Sequence, residues 1–596
     1  RCYFDHLVPT APGKDEIPLV ARSNQSAAQA FAGALTRHGI DTVFGQSIPS
    51  LIHLAAPEFG IRQIAYRTEN AGAIMADAYA RISHKVGIVT AQNGPAATLL
   101  VPALSEALTA SVPVVALVQD VALENFDRNA FQELDHLRLF GGCCKWLRRI
   151  HSPDRIEDYV DMAFAAAASG RPGPAVLLCP YDLIGAATAA SSGRTARLGT
   201  YPLDRIVADP VNIGAAADLL AGAERPLVVA GGGVHLSDAT AELALLQEGG
   251  SLPVATTSMG KGAVDECHPL SLGVIGYFMG PGGMARHQRR LVEDADVILL
   301  VGNRTNQNGT DSWRLLPRSA RFIHLDIDGA EIGRNYEALR LLGDAKLTLA
   351  ALATALQSRD LAKRRAARPA LERSIAEGRE RHRREAEPLL RSDARPIRPE
   401  RLMGDLAKVL KPTDIVVADA SYASIWTTNY LPSLAPGMRF LTPRGLAGLG
   451  WGLPMALGAK LAAPDRQVHC LVGDGGFAHV WSELETSRRH SLPVTVTVLN
   501  NQVLGYQKHA EDVLFGAHTD AVDFQPVDHA AIARACGVRG RRVESPADYH
   551  AALAEATAAR ETTVIDVIVD PEAYPPISSF EGKLPPNPNL SGQSGG

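Results

Sequence analysis

Two apolar stretches in the C-terminal third decide the fold: Val468-His-Cys-Leu-Val-Gly-Asp-Gly-Gly-Phe477 and Leu492-Pro-Val-Thr-Val-Thr-Val-Leu-Asn-Asn501. Each is a short apolar run that ends in Gly, Asp or Asn, a pattern typical of a strand buried in a parallel sheet. A helix is predicted to begin near Phe477, after the first of these strands. Strands that alternate with helices in this way favour a doubly wound α/β domain.

Asp474 and Asn501 are predicted to lie close together, because each follows one of these strands and the carboxyl ends of parallel strands form the ligand edge of such a sheet. Asn501 comes 27 residues after Asp474. Magnesium often combines one or two protein oxygens with phosphate and water oxygens. Gly473, Gly475 and Gly476 would let the backbone approach a phosphate at the start of the helix. The pattern predicts a metal-bridged diphosphate, with two unrelated turns as the alternative.

The rest of the chain repeats this alternation of apolar runs and Ala-rich helical stretches, which predicts three α/β domains with doubly wound parallel sheets. The predicted domains span residues 22–185, 204–356 and 396–570, and a tail rich in Pro, Gly and Ser follows at residues 571–596. Small and polar residues at 185–193 indicate a linker.

Apolar runs of strand length recur in all three predicted domains. They predict strands at residues 42–45, 86–90, 112–118, 175–179, 226–230, 297–301, 322–326, 415–417, 468–472 and 494–499. Residues 359–395 are dense in Arg and Glu, which favours a solvated connecting helix over a binding tail.

The charge of the chain is nearly balanced. Among 596 residues, 59 Lys and Arg stand against 64 Asp and Glu, a formal net charge of −5. This balance does not supply the broad basic surface that nucleic acid or an anionic membrane would need. No apolar run reaches the roughly 18 residues of a membrane span. A small-molecule partner is therefore expected, with no nucleic acid and no membrane.

The seven cysteines are too few and too scattered for a disulfide framework, and no CxxC pair indicates a zinc or redox site. This favours a reducing cytoplasm. Cys143 and Cys144 are interpreted as buried thiols, with a redox pair as the alternative. The first twenty residues contain charged side chains and lack the apolar core of a signal peptide.

Five further stretches carry a resemblance to a known family. They are RTENAGAIMADAYAR at 67–81, AFQE at 130–133, TSMGKG at 257–262, HLDIDGAEIG at 324–333 and GLGWGLP at 448–454. With the GDG and NN turns, they make the chain similar to thiamine-diphosphate enzymes, and most similar to the acetolactate synthase (acetohydroxyacid synthase) large-subunit superfamily. The resemblance covers most of the chain and is more specific for the superfamily than for one reaction.

The resemblance implies thiamine diphosphate and Mg²⁺ as cofactors, and catalytic roles for three residues. Glu69 matches the glutamate that hydrogen-bonds the aminopyrimidine ring of the cofactor. Leu449 matches the bulky apolar residue that holds the cofactor in its bent form, which brings the reacting atoms close together. Gln132 is expected near the reactive carbon, where it could hydrogen-bond a substrate carbonyl.

The resemblance also implies the residues that hold the diphosphate and its metal. Asp474, Asn501 and the backbone carbonyl of Val503 match the metal ligands. Ser421 and Tyr422 match the loop around the diphosphate. The remaining cofactor contacts implied are Gly473, Gly475, Gly476, Leu504, Gly505 and Tyr506.

The central domain resembles the domain that holds FAD in acetolactate synthases, where the flavin is largely structural. The residues that match its dinucleotide environment are Gly231, Gly232, Gly233, Met259, Arg304, Asp326 and Asp328. Some relatives bind ADP at this place or nothing, so FAD, ADP and an empty domain remain open. The family also places the domain of Glu69 against the metal-binding domain of a second subunit, which implies a homodimer or homotetramer with active sites at the subunit interface.

Several residues depart from acetolactate synthase where substrate identity is decided. The His before the catalytic Glu is Thr68, a glutamine near the thiazolium is replaced by Asp120, and the pocket tryptophan aligns with Ala510. The methionine that precedes this tryptophan aligns with Tyr506, and the Lys expected near residues 179–182 is absent. Loss of an indole opens space for a different or bulkier substrate.

These observations predict decarboxylation of a 2-oxo acid such as pyruvate, followed by addition to a carbonyl acceptor. The alternative is a lyase or hydrolase of a diketone or 2-hydroxyacyl compound, resembling cyclohexane-1,2-dione hydrolase. A non-catalytic cofactor-binding homologue is an alternative of another class, because fold does not establish function. His479 and His509 are candidates for proton transfer, but a structural or exposed position is favoured for both.

Overall fold

Three six-stranded sheets organise the protein, and the computed structural model describes them over residues 25–188 and 193–580. All strand pairs within the three sheets are parallel. A further antiparallel pair joins Gln25–Ser26 to Ala187–Thr188. The predicted fold class, three α/β domains with parallel sheets, is confirmed.

The N-terminal sheet has helices in the connections between its strands. In spatial order its strands are Arg62–Ile64, Thr42–Phe44, Gly87–Ala91, Val114–Asp120, Ala175–Pro180 and Trp146–Arg149. Its helices are Ala27–Arg37, Ser50–Ala55, Glu69–Ser83, Pro95–Ala110, His136–Phe140, Ile156–Ala168 and Tyr181–Gly185.

The central sheet follows the same principle with a different strand order. Its strands are Ser271–Val274, Val254–Thr256, Pro226–Ala230, Val297–Val301, Arg321–Asp326 and Ala338–Leu342. Its helices are Pro210–Gly222, Gly233–Leu236, Thr240–Gly250, Arg289–Glu293 and Ala345–Gln357. The long helix Ala362–Leu390 then leads to the C-terminal sheet.

The C-terminal sheet repeats the strand order of the N-terminal one. Its strands are Arg439–Leu441, Ile415–Ala418, Val468–Gly473, Thr495–Asn500, Thr563–Ile568 and Arg539–Val543. Its helices are Pro399–Val409, Tyr422–Tyr430, Gly452–Ala462, Asp474–Ala478, Glu483–Arg489, Gly505–Phe515, His529–Ala535 and Pro546–Ala558.

The strand orders fix where ligands can bind. In the N- and C-terminal sheets the first strand lies between the second and the third, and in the central sheet the first lies between the second and the fourth. Each order reverses direction beside its first strand, and open α/β sheets bind ligands at the carboxyl ends of the strands beside such a point. For the C-terminal sheet this point lies between Ile415–Ala418 and Val468–Gly473.

The N- and C-terminal domains share one apolar core. Helix Glu69–Ser83 packs against helix Gly452–Ala462, and the contact is close because Gly458 has no side chain. A Cβ at Gly458 would lie 2.2 Å from the carbonyl oxygen of Met75. The packing of these two helices therefore fixes the start of helix Glu69–Ser83 relative to the C-terminal sheet.

Most predicted strands are present with ends shifted by one or two residues, and two predictions were wrong in detail. The helix after strand Val468–Gly473 begins at Asp474 rather than near Phe477, so Asp474 itself is the first helical residue. The predicted linker contains the strand Ala187–Thr188, which pairs with Gln25–Ser26. Residues 189–192 lie outside the described residues.

The predicted connecting helix is present as Ala362–Leu390, and most of its side chains are exposed or half-buried. Arg364 is an exception, because its guanidinium is buried and donates to the carbonyl oxygens of Gly250 and Ser251 at 3.1 and 3.0 Å. In the described part of the tail, the backbone N–H of Ser578 donates to the carbonyl of Tyr277 at 2.8 Å. The tail therefore folds onto the central domain as far as it is described.

Cys143 and Cys144 are free thiols, and burial raises their pKa to about 11 and about 12. Cys2 and the first twenty residues lie outside the described residues. Of the helices described in residues 25–188 and 193–580, none combines the length and the apolar character needed to cross a bilayer.

Candidate active site

A cavity opens at the ligand edge of the C-terminal sheet and encloses about 1400 Å³ of space free of protein atoms, part of it open to solvent. It lies beside the point where the strand order reverses. Every C-terminal residue predicted to contact the cofactor or its metal lines it: Ser421, Tyr422, Leu449, Gly473, Asp474, Gly475, Gly476, Asn501, Val503, Leu504, Gly505 and Tyr506. The structure thus brings together residues that are up to 85 positions apart in the chain.

Asp474 is the buried acid of this cavity. Its Oδ2 atom accepts a hydrogen bond from the backbone N–H of Gln502 at 2.8 Å, which joins the ends of two neighbouring strands. Burial raises the pKa of Asp474 to about 6, against the effect of its backbone hydrogen bonds. Within residues 25–188 and 193–580, no Lys, Arg or His forms an ion pair with it. A buried carboxylate without a cationic partner fits a metal ion.

Asn501 and Val503 supply the other predicted metal ligands. The Oδ1 atom of Asn501 accepts a hydrogen bond from the backbone N–H of Val503 at 3.3 Å. The carbonyl of Val503 accepts one from the backbone N–H of Gly505 at 2.9 Å, which leaves its second lone pair for a cation. No group of three or more His, Cys, Asp or Glu among the described residues could hold a metal alone. Phosphate and water oxygens would therefore have to complete a magnesium shell.

Two glycines keep the floor of the cavity open. A Cβ at Gly505 would lie 2.8 Å from the ring of Tyr422, and a Cβ at Gly476 would lie 2.4 Å from Oδ2 of Asp419. A side chain at either position would displace a residue that borders the cavity. The GDGG turn and Gly505 therefore form a smooth backbone cradle, which suits the approach of a phosphate.

Ser421 adopts a backbone conformation that side chains rarely tolerate. It precedes helix Tyr422–Tyr430 with φ 64° and ψ −143°, a region used almost only by glycine. Its side chain does not cap the helix. Its carbonyl accepts a hydrogen bond from the hydroxyl of Ser424 at 2.8 Å. Strain at a cavity-lining residue is common where a loop must hold a fixed shape for a ligand.

The loop that carries Leu449 is held at both ends by buried carboxylates. Asp419 accepts hydrogen bonds from the backbone N–H groups of Gly450 and Trp451 at 3.0 and 3.2 Å. At the other end, Glu106 accepts from the backbone N–H groups of Gly445 and Leu446. Burial raises the pKa of Asp419 to about 6, although four backbone donors oppose this shift. Sequence reasoning missed both acids.

Each missed acid does leave a signal in the sequence. Asp419 directly follows a buried strand at the point where the sheet order reverses. Glu106 is the one acidic residue of the otherwise apolar and small helix Pro95–Ala110, and its side chain is buried. A buried acid in such a helix needs hydrogen-bond donors. For Glu106 these are backbone N–H groups of a loop that lies about 340 residues further along the chain.

Glu69 does not line the cavity of its own chain. It is the first residue of helix Glu69–Ser83, and the preceding Thr68 caps this helix by accepting from the backbone N–H of Ala71. The backbone just before it is held by Glu483, which accepts from the N–H groups of Arg67 and Thr68 at 3.2 and 3.1 Å. A single chain therefore does not bring Glu69 and Asp474 to the same cavity.

Gln132 likewise lies away from the cavity of its own chain, beside the carboxyl end of strand Gly87–Ala91. Its backbone has φ 60°, and its carbonyl accepts from the side-chain amide of Asn93 at 3.1 Å. Its Oε1 atom accepts from Nε2 of Gln92 at 2.8 Å. The side-chain N–H₂ of Gln132 is thus left as a donor for a ligand.

Asp120 stands at the centre of a buried network in the same region. Arg149 forms an ion pair with it at 2.9 Å, and Nδ1 of His136 donates to it at 3.0 Å. The opposite ring nitrogen, Nε2, accepts from the backbone N–H of Gly94 at 3.0 Å, so His136 is neutral with its proton on Nδ1. The network fixes the start of helix Pro95–Ala110 beside Gln132.

The two candidate histidines occupy different positions. His479 is exposed at the edge of a smaller cavity that also contacts Asp474. His509 is buried, and its Nδ1 atom is hydrogen-bonded to the hydroxyl of Tyr422 at 2.8 Å. Burial lowers the pKa of His509 to about 4, which keeps it neutral. Ala510 does not line the cavity, whereas Tyr506 does.

A second cavity lies at the reversal point of the central sheet and encloses about 1040 Å³, part of it open to solvent. The predicted residues that line it are Gly231, Gly232, Gly233, Met259, Arg304 and Asp326. Burial raises the pKa of Asp326 to about 6 and lowers the pKa of Arg304. Asp328 does not line it and instead pairs with Arg171 at 3.3 Å.

Three family models match the chain in the order of its three sheets. The N-terminal TPP binding domain of thiamine pyrophosphate enzymes matches residues 25–139, the central domain matches residues 213–352, and the C-terminal TPP binding domain matches residues 419–567. The third match contains the cavity residues from Ser421 to Tyr506.

Relatives align over nearly the whole chain. A probable acetolactate synthase large subunit of Methanocaldococcus jannaschii is 33% identical over 94% of this chain and 94% of its own length. An acetolactate synthase large subunit of Parasynechococcus marenigrum is 34% identical over 95% and 92%. A sulfoacetaldehyde acetyltransferase of Castellaniella defragrans is 30% identical over 92% and 94%.

Proposed function

Because the chain belongs to the thiamine pyrophosphate enzyme family, as a divergent member of the acetolactate synthase large-subunit superfamily, we propose that it decarboxylates a 2-oxo acid and joins the remaining fragment to a carbonyl acceptor. The cofactors of this reaction are thiamine diphosphate and Mg²⁺. The observation that carries the proposal is the single cavity lined by Asp474, Asn501 and Leu449.

The metal and the diphosphate would be held by the edge of the C-terminal sheet. Asp474, Asn501 and the carbonyl of Val503 would bind Mg²⁺, and the glycine cradle would accept the phosphates. The unpaired buried carboxylate of Asp474 supports this assignment. When bound, thiamine diphosphate supplies a carbon nucleophile for a carbonyl group and an electron sink for the carbanion that follows.

The protein's own residues would position the cofactor and the substrate and control proton transfer. Leu449 would pack against the cofactor from a loop that two buried acids, Glu106 and Asp419, hold in place. Glu69 would hydrogen-bond the aminopyrimidine ring, and the free N–H₂ of Gln132 would donate to the substrate carbonyl. The tyrosine rings at 422 and 506 exclude water from the wall they form.

A second copy of the chain would bring Glu69 and Gln132 to this cavity. Both lie at the carboxyl edge of the N-terminal sheet, away from the cavity of their own chain. Large apolar side chains are exposed in the same domain, including Phe131 at 66%, Leu99 at 46% and Leu137 at 40%. An exposed apolar surface of this kind supports a subunit interface. The functional unit is thus a homodimer, and two dimers can pair into a homotetramer.

The central domain would hold FAD in a largely structural role. Its strand order is the one used by dinucleotide-binding folds, and its cavity lies at the reversal point. The glycine turn at 231–233 and the cation of Arg304 suit a diphosphate, which ADP would share.

The proposed domain boundaries and compartment accompany the same family assignment. The three domains are proposed to span residues 22–185, 204–356 and 396–570. The free cysteines support a reducing compartment, the cytoplasm.

A second candidate reaction is cleavage or hydrolysis of a diketone or a 2-hydroxyacyl compound. Ala510 in place of the tryptophan expected from the resemblance favours it, since the smaller side chain makes room for a bulkier substrate. The relative named sulfoacetaldehyde acetyltransferase adds acetyl transfer as a reaction to test.

Product analysis separates these reactions. Purified protein with thiamine diphosphate and Mg²⁺ is incubated with pyruvate alone, with cyclic and linear diketones, and with sulfoacetaldehyde. Carbon dioxide with acetolactate or acetoin supports the proposal, and ring opening without gas release supports the second candidate. Cofactor binding without turnover of any compound would instead indicate a non-catalytic homologue. The Asp474→Asn variant controls for reactions that do not use the cavity.

A further inference from the structure

Arg444 places a guanidinium between the C-terminal and central domains. It follows strand Arg439–Leu441 and lines both the cavity of Asp474 and the second cavity. One terminal nitrogen donates to the hydroxyl of Tyr277 at 2.8 Å, and the other donates to the hydroxyl of Ser424. The guanidinium carbon lies 5.3 Å from the ring centre of Phe278. All three contacts fix the orientation of a half-buried cation.

The charge of Arg444 is not balanced by the protein. Among the described residues, no carboxylate lies within ion-pair distance of it, and its buried Nε atom has no hydrogen-bond partner. Arg398 shows the contrast, because it pairs with Glu400 at 2.7 Å and with Asp570 at 3.1 Å. A half-buried guanidinium without a counter-ion attracts an anion, and a ligand in the cavity can supply it.

The acids around the cavity already have hydrogen-bond or ion-pair partners or a proposed metal-binding role. Asp474 is the residue proposed to bind the cation, and Asp570 pairs with Arg398. Asp419 accepts hydrogen bonds from backbone N–H groups. None of these acids therefore serves as the partner of Arg444, and an anion that enters the cavity from outside can take this place.

We propose that Arg444 binds the acid group of the substrate, a carboxylate or a sulfonate, at the end of the cavity where Leu449 lies. The inference rests on the proposed function and names its substrate class. Arg444 and Leu449 belong to one loop, whereas the glycine cradle for the diphosphate lies on another. Each terminal nitrogen keeps one N–H beside the one given to Tyr277 or Ser424, and this planar pair matches the two oxygens of a carboxylate. The enzyme therefore selects anionic over neutral carbonyl compounds.

A pair of unreactive probes tests the charge directly. Oxamate and oxamide have the same shape and differ in one carboxylate, which is an amide in oxamide. Calorimetry measures the binding of each probe to wild-type protein loaded with thiamine diphosphate and Mg²⁺, and to the Arg444→Gln and Arg444→Lys variants. Arg290→Gln is the matched control, because Arg290 is 90% exposed and its one ion pair among the described residues is with Asp294, just past the end of its own helix.

We expect Arg444→Gln to bind oxamate about 10- to 100-fold more weakly, since it loses hydrogen bonds to a charged group. Arg444→Lys keeps the charge without the fork, so its loss should be smaller. Binding of oxamide should change by less than about 2-fold, and Arg290→Gln should match wild type. Equal oxamate binding by wild type and Arg444→Gln would overturn the inference.

Two further outcomes would assign the guanidinium to another anion. If Arg444→Gln weakens the binding of thiamine diphosphate and leaves the binding of oxamate unchanged, Arg444 binds the cofactor phosphate. If the variant weakens the binding of FAD or ADP and leaves the binding of oxamate unchanged, Arg444 binds an anion in the second cavity. Both results overturn the inference but not the proposed function, which is tested separately by the binding of thiamine diphosphate to wild-type protein and by the product analysis. A melting curve of each variant checks the fold, and Arg444→Lys replaces Arg444→Gln if the latter does not fold.

Discussion

The Oε1 atom of Glu106 lies 2.7 Å from the backbone nitrogen of Gly445 and accepts its hydrogen bond. This contact joins a helix of the N-terminal domain to the loop that carries Leu449. The second carboxylate oxygen of Glu106 accepts from the next residue, Leu446, at 2.5 Å. Asp419 holds the far end of the same loop at Gly450. The position of Leu449 therefore depends on an acid that lies in a different domain.

Glu106→Gln should destabilise the protein and weaken its hold on the cofactor. The amide keeps one oxygen acceptor, but its N–H₂ faces the second backbone N–H, which loses its partner. A buried donor without a partner costs about 1–3 kcal/mol. We expect the free energy of unfolding to fall by that amount in urea titrations, with a higher Kd for thiamine diphosphate.

Glu380→Gln is the control for Glu106→Gln, because Glu380 pairs with Arg383 on an exposed helix face. A surface pair of this kind contributes little, so neither unfolding nor cofactor binding should change. If Glu106→Gln lowers stability but leaves the Kd and kcat at wild-type values, Glu106 does not position the Leu449 loop.

Ser421→Gly should stabilise the protein, whereas Ser421→Ala should not. The backbone of Ser421 lies at φ 64° and ψ −143°, a conformation that glycine adopts without steric cost. Relief of this strain exceeds the entropy that glycine adds to the unfolded chain, for a net gain of about 1 kcal/mol. Alanine keeps the Cβ and the strain.

Thermal unfolding of both Ser421 variants measures this difference. A Ser421→Gly protein that melts at or below the temperature of Ser421→Ala would show that the serine conformation is not strained. Because the helix Tyr422–Tyr430 begins at this turn, binding of thiamine diphosphate should also be compared, and the glycine variant should bind it at least as tightly as the alanine variant.

Asp474→Asn should make the protein without cofactors more stable and insensitive to Mg²⁺. The amide keeps an oxygen acceptor for the backbone N–H of Gln502 and removes a buried charge. With the pKa of Asp474 raised to about 6, removal of the charge gains about 1–3 kcal/mol at pH 7. Wild-type protein should gain stability when Mg²⁺ and thiamine diphosphate are added, and the variant should not.

The difference in stability between wild-type protein and Asp474→Asn depends on pH, and its sign is defined. The folded protein holds the proton of Asp474 more tightly than the unfolded chain, whose aspartates titrate near pH ~4. The stability linked to this group is therefore present below pH ~4 and is lost as the pH rises through about 6. Asp419 shifts in the same direction, so the difference between wild type and Asp474→Asn isolates Asp474. A difference that stays constant from pH 4 to pH 7 would contradict the assignment.

The sequence was sufficient to predict that Asp474 and Asn501 lie at one cavity, because each of them is marked by a local signal. Asp474 and Asn501 each follow an apolar strand directly. The two residues therefore lie close together whenever these strands pair in parallel, as they do. The glycines of the GDGG turn are equally local. Strands at the edges of the sheets were not predicted, since Arg539–Val543 contains three arginines and lacks an apolar pattern.

Contacts between domains could not be predicted from the sequence. Glu106 and Gly445 are 339 residues apart, and Arg444 and Tyr277 are 167 residues apart. Neither pair is linked by a periodicity or a motif, so only the packing of the domains brings the partners together. Glu69 does not line the cavity of Asp474 in its own chain, so the proposal that a second subunit brings the two residues together needs an experiment.

Glu69→Gln should retain thiamine diphosphate and lose turnover. Glu69 is not a diphosphate or metal ligand, so calorimetry should give a Kd close to that of wild type. The amide cannot take part in proton transfer to the aminopyrimidine, and loss of such a group lowers rates by about 10²–10⁴-fold. A variant that keeps wild-type kcat would remove Glu69 from the catalytic machinery.

Mixing Glu69→Gln chains with Asp474→Asn chains tests which subunit supplies each group. If every site combines Glu69 of one chain with Asp474 of the other, a hybrid dimer has one site with both substitutions and one site with neither. Random pairing makes half of the dimers hybrid, so the mixture should recover about a quarter of wild-type activity. Each variant mixed with itself is the control and should stay inactive. Because a site built within one chain would carry one substitution in every copy, a mixture as inactive as its parents would show that Glu69 and Asp474 do not meet across a subunit interface.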